Sequence, residues 1–168
     1  MQESVLFSVL LRSLLLASLL MINPSIGQAA TSDDALPTLS FHTLSSFKCD
    51  ETFKGPDGRL IVIPQALQRL SGRKVAVEGF VVPLQLSKDG TVTSFALCRD
   101  RNYCCYGVTP TINEVILCDL RPGQHCRVQK DTPTRVCGTL EVSAKFTQGE
   151  LLSIYRMQVD STSDIMPR

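Results

Sequence analysis

Between Val75 and Val159 apolar and polar residues alternate with a period of two, and this pattern constrains the fold more than any other feature. Such a period is typical of β-strands that bury one face. Turn-forming residues interrupt it, most clearly at Lys88-Asp89-Gly90 and at Gln148-Gly149. The alternation predicts five strands, within residues 75–83, 91–98, 114–120, 135–143 and 151–159.

Five closely spaced strands behind a short helix favour a sheet that curls on itself. We therefore predict a mainly β fold, a small five-stranded OB-like barrel with one short N-terminal helix. The helix would run over residues 65–70, because the fixed φ of Pro64 suits a helix start. Gly79 predicts a bend or a bulge in the first strand. An SH3-like barrel and a β-sandwich are alternatives, since the pattern does not give the strand order.

Residues 1–29 form a segment of a different kind. An apolar core at residues 14–22 follows Arg12 and precedes Pro24 and the small residues of Gly27-Gln28-Ala29. That order is typical of a secretory signal peptide. We predict a signal peptide at 1–29, a tether and N-terminal extension at 30–60, the β-barrel domain at 61–160 and a tail at 161–168. The alternative is an uncleaved membrane anchor, since residues 5–11 extend the apolar run to spanning length; only then do we expect membrane association.

All seven cysteines follow the predicted signal peptide. Exported chains meet an oxidising compartment, so we expect a periplasmic or secreted protein that contains disulfides. Because seven is odd, at least one thiol is free, bound to another group or paired with another chain. The pairing itself does not follow from the sequence. The net charge of +1 gives no basic surface for nucleic acid, and we expect no nucleic-acid partner.

The loop at residues 99–111 holds the densest group of chemically capable side chains, Cys104-Cys105-Tyr106-Gly107. Neighbouring cysteines do not form an unstrained disulfide. Each thiol pairs elsewhere, or one pairs while the other is a buried thiol, or both serve a soft-metal or redox site. His125 and Cys126 would complete a metal site if the fold brings the two loops together. The absence of Cys-x-x-Cys spacing argues against zinc, so the cofactor is unknown beyond a possible soft metal ion.

Several short motifs follow one another in a set order along residues 39–160. A Gly-Phe strand ends in Pro-Leu at Leu84, the next strand contains Phe95, and the Cys-Cys-aromatic-Gly loop follows. The other members are Ile63-Pro-Gln-Ala-Leu67, Leu70, Gly72, Lys74-Val75, Pro110, Asn113-Glu114, Gly138-Thr139-Leu140 and Tyr155. The set resembles an uncharacterised bacterial exported family of a domain of unknown function. The resemblance implies an exported protein with a small β-barrel, and hints at metal or ligand trafficking in the envelope; it implies no activity.

Three hypotheses for function follow from these residues. The first is an exported envelope module that binds a partner protein or a small ligand through the Cys104–Gly107 loop, with Asn113 and Glu114 beside it. The second is a periplasmic metal-handling protein that uses Cys104 and Cys105 as thiolate ligands. The third is a thiol–disulfide redox protein. No nucleophile elbow or thioredoxin-type pair is present in the sequence, which favours a non-enzymatic role and leaves an enzymatic one open.

Overall fold

The computed structural model describes residues 35–49, 62–86, 88, 90–105, 108–127 and 132–162, without the side chains of Cys104, Cys105 and Arg127. The chain divides into two compact units, Met1–Ala30 and Thr31–Arg168, and every described residue lies in the second. The predicted signal peptide, or membrane anchor, lies outside the described residues. Within the described ranges, no helix is both long enough and apolar enough to cross a membrane.

The strands account for most of the described chain. They are β1 (Lys74–Leu86), β2 (Thr91–Cys98), β3 (Val115–Leu120), β4 (Cys126–Arg127), β5 (Thr134–Thr147) and β6 (Glu150–Thr162). All except β4 were predicted from the alternation. The sequence predicts only a loop where β4 lies, which is wrong, because two paired residues are too few to produce an alternating pattern.

The five long strands form a sheet that closes into a ring. Around the ring the order is β1, β2, β3, β6, β5 and back to β1. Every neighbouring pair is antiparallel except β3 and β6, which run parallel. The apolar faces of all five strands therefore point into one shared core. The prediction of a mainly β fold whose five-stranded sheet curls on itself is confirmed.

The ring closes on β1, which pairs with two different strands in succession. Residues Lys74 to Gly79 pair with β5, and the ladder with β2 begins at Phe80. Pairing runs through Gly79 without a register shift, so the predicted bulge there is wrong. The irregularities in the ladder lie instead between Pro83 and Leu86, since proline has no N–H to donate to a ladder.

Each helix within the described residues is a single turn. They are α1 (Phe41–Leu44), α2 (Gln65–Gln68) and α3 (Asn102–Cys105), with a 3-10 turn at Ile112–Glu114. Helix α2 lies within the helix that the sequence predicts at residues 65–70, and the three-residue spacing of Phe41, Leu44 and Phe47 also indicates a short helical turn where α1 lies. Helices α1 and α3 show that a single N-terminal helix is an incomplete description, and α3 has no apolar spacing that predicts it.

Residues 35–49, here the N-terminal segment, pack against the ring. The Leu39 amide donates to the Ala76 carbonyl at 2.8 Å, and the Ala76 amide donates to the Pro37 carbonyl at 3.1 Å. Helix α1 buries Phe41 and Leu44 in the core. The buried Tyr155 hydroxyl donates to the Leu44 carbonyl at 2.8 Å. Backbone pairing, apolar burial and one buried hydrogen bond thus hold this part of the predicted extension in place.

The buried cysteines behave as core residues. Cys118 and Cys126 belong to the hydrophobic core cluster, and neither they nor Cys137 is part of a disulfide in the structure. Burial, with a smaller contribution from the charge of Asp119, raises the pKa of Cys118 well above its ordinary value. Burial also raises the pKa of Cys126 to about 11. At neutral pH both groups are therefore protonated thiols, which are poor nucleophiles and poor metal ligands.

We expect Gly79→Ala to destabilise the protein. The added Cβ would lie 2.7 Å from the Cys98 carbonyl oxygen and 2.8 Å from Cε2 of Phe41. Overpacking of this kind costs about 1–3 kcal/mol, and the backbone contact favours the upper end. Gly123→Ala is the control, since its Cβ meets nothing within 4 Å and only the positive φ is strained, at about 1 kcal/mol. Urea unfolding compares them; a smaller loss at Gly79 would contradict the packing described.

We expect stability to fall as the pH rises from about 7.5 to 9.5. The unfolded chain releases the Cys118 proton near pH 8.5, while the folded protein retains it, so the stabilisation present at lower pH is lost progressively above that value. Tyrosines titrate near pH 10 and contribute little within this window. Urea unfolding measures the slope, and Cys118→Val should reduce it; part of the slope should remain, because the folded protein also keeps the Cys126 proton. An identical slope in the variant would show that this thiol is not buried as described.

Candidate functional site

The loop of residues 99–111 joins β2 to β3 at one end of the ring. Its two ends are held together, since Cys98 pairs with Val115 and the Arg99 amide donates to the Glu114 carbonyl at 3.2 Å. Helix α3 forms inside this loop. Its start is fixed by Asp100, whose carboxylate accepts from the Asn102 amide at 2.9 Å. A capping carboxylate of this kind favours a helical turn in a segment without apolar periodicity.

Three side chains, here called the Glu114 cluster, connect α3 to the base of β3. The Tyr103 hydroxyl donates to Oε2 of Glu114 at 2.6 Å, and Nη1 of Arg99 pairs with Oε1 at 2.5 Å. The Glu114 side chain is only 12% exposed, whereas that of Arg99 is 53% exposed. From a largely buried position, the carboxylate thus contacts the loop at its start, through Arg99, and within α3, through Tyr103.

Within the Glu114 cluster, the Glu114 carboxylate is ionised and the Tyr103 phenol is neutral. Burial by itself raises the pKa of Glu114, but hydrogen bonds from Tyr103 and Thr111 and the charge of Arg99 outweigh it, so the pKa lies below its ordinary value. The hydrogen bond to Glu114, followed by burial, raises the pKa of Tyr103 to about 12. A charged acceptor and a protonated donor are the states that make this hydrogen bond strong.

Asn113, the other predicted binding residue beside the loop, lies below the surface. It is 4% exposed, and its Nδ2 donates to the Phe47 carbonyl at 2.8 Å. The side chain therefore contacts the N-terminal segment. Glu114, its neighbour in the 3-10 turn, contacts α3 instead. A role of either residue in binding stays a prediction.

The cysteine pair is described only in its backbone. Cys104 and Cys105 are the last two residues of α3, while Tyr106 and Gly107 lie outside the described residues. Because α3 begins at Asn102 and contains Tyr103, the Glu114 cluster holds the backbone that carries both cysteines. Their predicted part in binding ligand, partner or metal stays a prediction.

The structure does not bring His125 and Cys126 to this loop. Cys126 pairs with Val92 near the start of β2, whereas the loop leaves β2 after Cys98. Six residues of extended strand separate these points by roughly 20 Å. Cys126 is also buried, whereas His125 is exposed. Among the residues that the structure describes, no three His, Cys, Asp or Glu side chains form a group able to hold a metal ion.

A second polar feature is a groove of about 560 Å³ that crosses β3, β6 and β5. Arg156 in its wall donates to Asp119 at 3.1 Å. Glu141 accepts from Ser143 at 2.8 Å and pairs with Lys145 at 3.1 Å. These charges satisfy one another within the protein. The sequence gives no signal for the groove, because only the strand register brings Glu141 opposite Arg156.

The contacts of Arg99 and Tyr103 with Glu114 were not predicted from the sequence. The sequence shows opposite charges at the two ends of one loop, at Arg99 and Glu114. That signal could have suggested an ion pair across the loop base. The position of Tyr103 depends on the path of α3, which carries no sequence signature of its own.

Comparison with known proteins gives a family and no activity. Residues 51–164 match the model of a family described as a protein of unknown function, DUF3299. The chain is also similar to the crystal structure of a DUF3299 family protein from Pseudomonas aeruginosa PAO1, with 21% identity and a TM-score of 0.48, over 79% of this chain and 96% of that one. No curated protein matches the chain.

We expect acid to loosen the loop through Glu114. In the unfolded chain the pKa of this carboxyl is about 4.3, and in the folded protein it is lower. The ionised carboxylate therefore stabilises the folded loop fully above the unfolded pKa, and this stabilisation is lost as the pH falls through the folded pKa. In hydrogen exchange, the Asn102 and Tyr103 amides should lose protection in acid. In Glu114→Gln the protection of these amides should already be reduced roughly tenfold at neutral pH, because the hydrogen bond and the ion pair are weakened. The further loss of protection in acid should then be smaller than in the natural protein.

The Leu140 amide, which donates to the Arg73 carbonyl at 3.0 Å, serves as the internal control for general loss of stability. Equal changes at Leu140 and in α3 would contradict a local effect. Unchanged α3 protection in Glu114→Gln would show that the carboxylate does not hold the loop.

Proposed function

The chain belongs to the DUF3299 family of proteins of unknown function, and on that premise we propose that it is an exported, non-enzymatic envelope module that binds a partner protein or a small ligand. The binding element is the loop of residues 99–111, which includes the Cys104–Gly107 motif. The location is the periplasm or the cell exterior.

The observation that carries this proposal is the attachment of the loop to the ring through the Glu114 cluster. A binding loop gains affinity when its conformation is fixed before the ligand arrives, because less conformational entropy is then lost. Here the carboxylate of Glu114 accepts from Tyr103 within α3 and from Arg99 at the loop start. Arg101 and Asn102, between these two anchors, are exposed. The loop therefore offers an accessible surface on a fixed base.

Export is supported by the N-terminal sequence. A charged residue, an apolar core and small residues before position 30 follow in the order that is typical of signal peptides, with Pro24 after the apolar core. Cleavage after Ala29 would leave a short polar stretch before Pro37, where pairing with β1 begins. The domain would thus start soon after the cleavage site.

The two thiol-based alternatives find less support. Cys126 is a buried thiol, and burial raises its pKa to about 11. It also lies near the start of β2, away from α3. It is therefore badly placed to complete a metal site with Cys104 and Cys105. These two residues are consecutive in a helical turn. Neighbouring cysteines do not form an unstrained disulfide, which disfavours a dithiol pair that exchanges disulfides.

A photo-crosslinking residue in place of Arg101 tests the proposed binding surface. Expressed with its own N-terminal sequence in a bacterial host of the same envelope type, this variant should form a specific adduct that excess unlabelled protein suppresses. The matched control carries the same residue in place of Glu150, an exposed position in the β5–β6 hairpin. Equal labelling from both positions, or none from Arg101, would reject the loop as the binding surface.

Intact mass measurement of the same purified protein tests location and the metal alternative. We expect a chain that begins at Ala30 and retains no metal under native conditions. A retained metal ion that is lost on replacing Cys104 and Cys105 by serine would favour the metal-handling alternative. An unprocessed chain in the membrane fraction would favour the anchor.

A further inference from the structure

Asn113 occupies the point where the N-terminal segment meets the binding loop. Its side chain donates to the Phe47 carbonyl across 66 residues of sequence. Its backbone belongs to the 3-10 turn Ile112–Glu114, which the Glu114 amide closes by donating to the Thr111 carbonyl at 2.8 Å. A buried amide in a one-turn element leaves little freedom for the residue beside it.

The neighbouring residue is Glu114, which holds α3. A continuous chain of contacts therefore runs from Phe47 through Asn113 and Glu114 to Tyr103. Every link is a covalent bond or a hydrogen bond of at most 2.8 Å. A change at Phe47 can thus reach α3 through atoms that are directly joined.

We propose that Asn113 is a positioning residue that couples docking of the N-terminal segment to the conformation of the loop. Ordering of the segment orients the 3-10 turn, which presents the Glu114 carboxylate to Tyr103 and Arg99. The coupling itself is a property of the unliganded protein. That it regulates binding rests on the proposed function.

Coupling of this kind is reciprocal. A partner that draws the N-terminal segment away from the ring would loosen the loop, and a ligand bound to the loop would strengthen docking of the segment. Only residues 30–34 separate the segment from the predicted leader, so the segment lies close to the N-terminus that cleavage would leave. The proposed regulation is therefore control of loop order by the docked state of residues 35–49.

Hydrogen exchange of the purified mature protein tests the coupling. The variant is Asn113→Leu, which keeps a similar volume and removes the donor to Phe47. We expect the amides of Arg99, Asn102 and Tyr103 to exchange roughly tenfold faster, the effect of losing one buried hydrogen bond. These amides report on the loop because their acceptors are Glu114 and Asp100.

Ser71→Ala is the matched control. It removes the part-buried hydrogen bond that the Val142 amide donates to the Ser71 hydroxyl at 3.0 Å, which joins neither the N-terminal segment nor the loop. At equal loss of global stability, we expect it to leave the loop amides protected. Loop exchange that rises equally in both variants would reduce Asn113 to an ordinary stabilising residue and overturn the proposal.

A double variant tests the route through Glu114. If Asn113 acts by placing the carboxylate, Tyr103→Phe should accelerate loop exchange much less in the Asn113→Leu background than in the natural protein. By reciprocity, Tyr103→Phe alone should speed exchange of the Leu39 and Ser45 amides of the docked segment, which donate to the carbonyls of Ala76 and Phe41 respectively. If the effects of Asn113→Leu and Tyr103→Phe on loop exchange are additive and exchange of the segment amides is unchanged, the coupling is overturned. Failure of the Arg101 crosslink alone would reject only the proposed binding function.

Discussion

Closure of the ring depends on the absence of a side chain at one position of β1. At Gly79 the strand passes from its ladder with β5 to its ladder with β2. The Cys98 carbonyl and the ring of Phe41 both approach the space where a Cβ would lie. The same gap therefore serves two purposes, close pairing of the first and second strands and seating of α1 on the core.

Seating of α1 in turn determines where the N-terminal segment lies. Phe41 and Leu44 bring their apolar side chains to the core, and Tyr155 satisfies the Leu44 carbonyl that this burial removes from water. A buried carbonyl without a hydrogen-bond donor is costly in free energy. The hydrogen bond from Tyr155 therefore both stabilises the N-terminal segment and fixes its path. The segment then passes Asn113, which satisfies Phe47 in the same way.

The candidate site inherits its geometry from this arrangement. Glu114 follows Asn113 and directly precedes β3, so its carboxylate is held at the end of the ring where the loop leaves and returns. Its low pKa comes from donors placed by the fold, and it keeps the carboxylate charged at neutral pH. The cluster is suited to holding a loop in one conformation, since its charge is matched by Arg99 and its acceptor atoms are occupied.

The strands followed from the sequence because a half-buried strand must alternate apolar and polar residues, and burial in one core imposes that period locally. The same rule found α2 beside Pro64 but not β4 or α3, which are too short to show a period. Ring closure at Gly79, the partners of Asn113 and Glu114, and the separation of Cys126 from α3 were decided only by the tertiary structure. Each depends on contacts between residues distant in sequence, such as the pairing of Phe47 with Asn113, and no local pattern records which distant group satisfies a buried donor or acceptor.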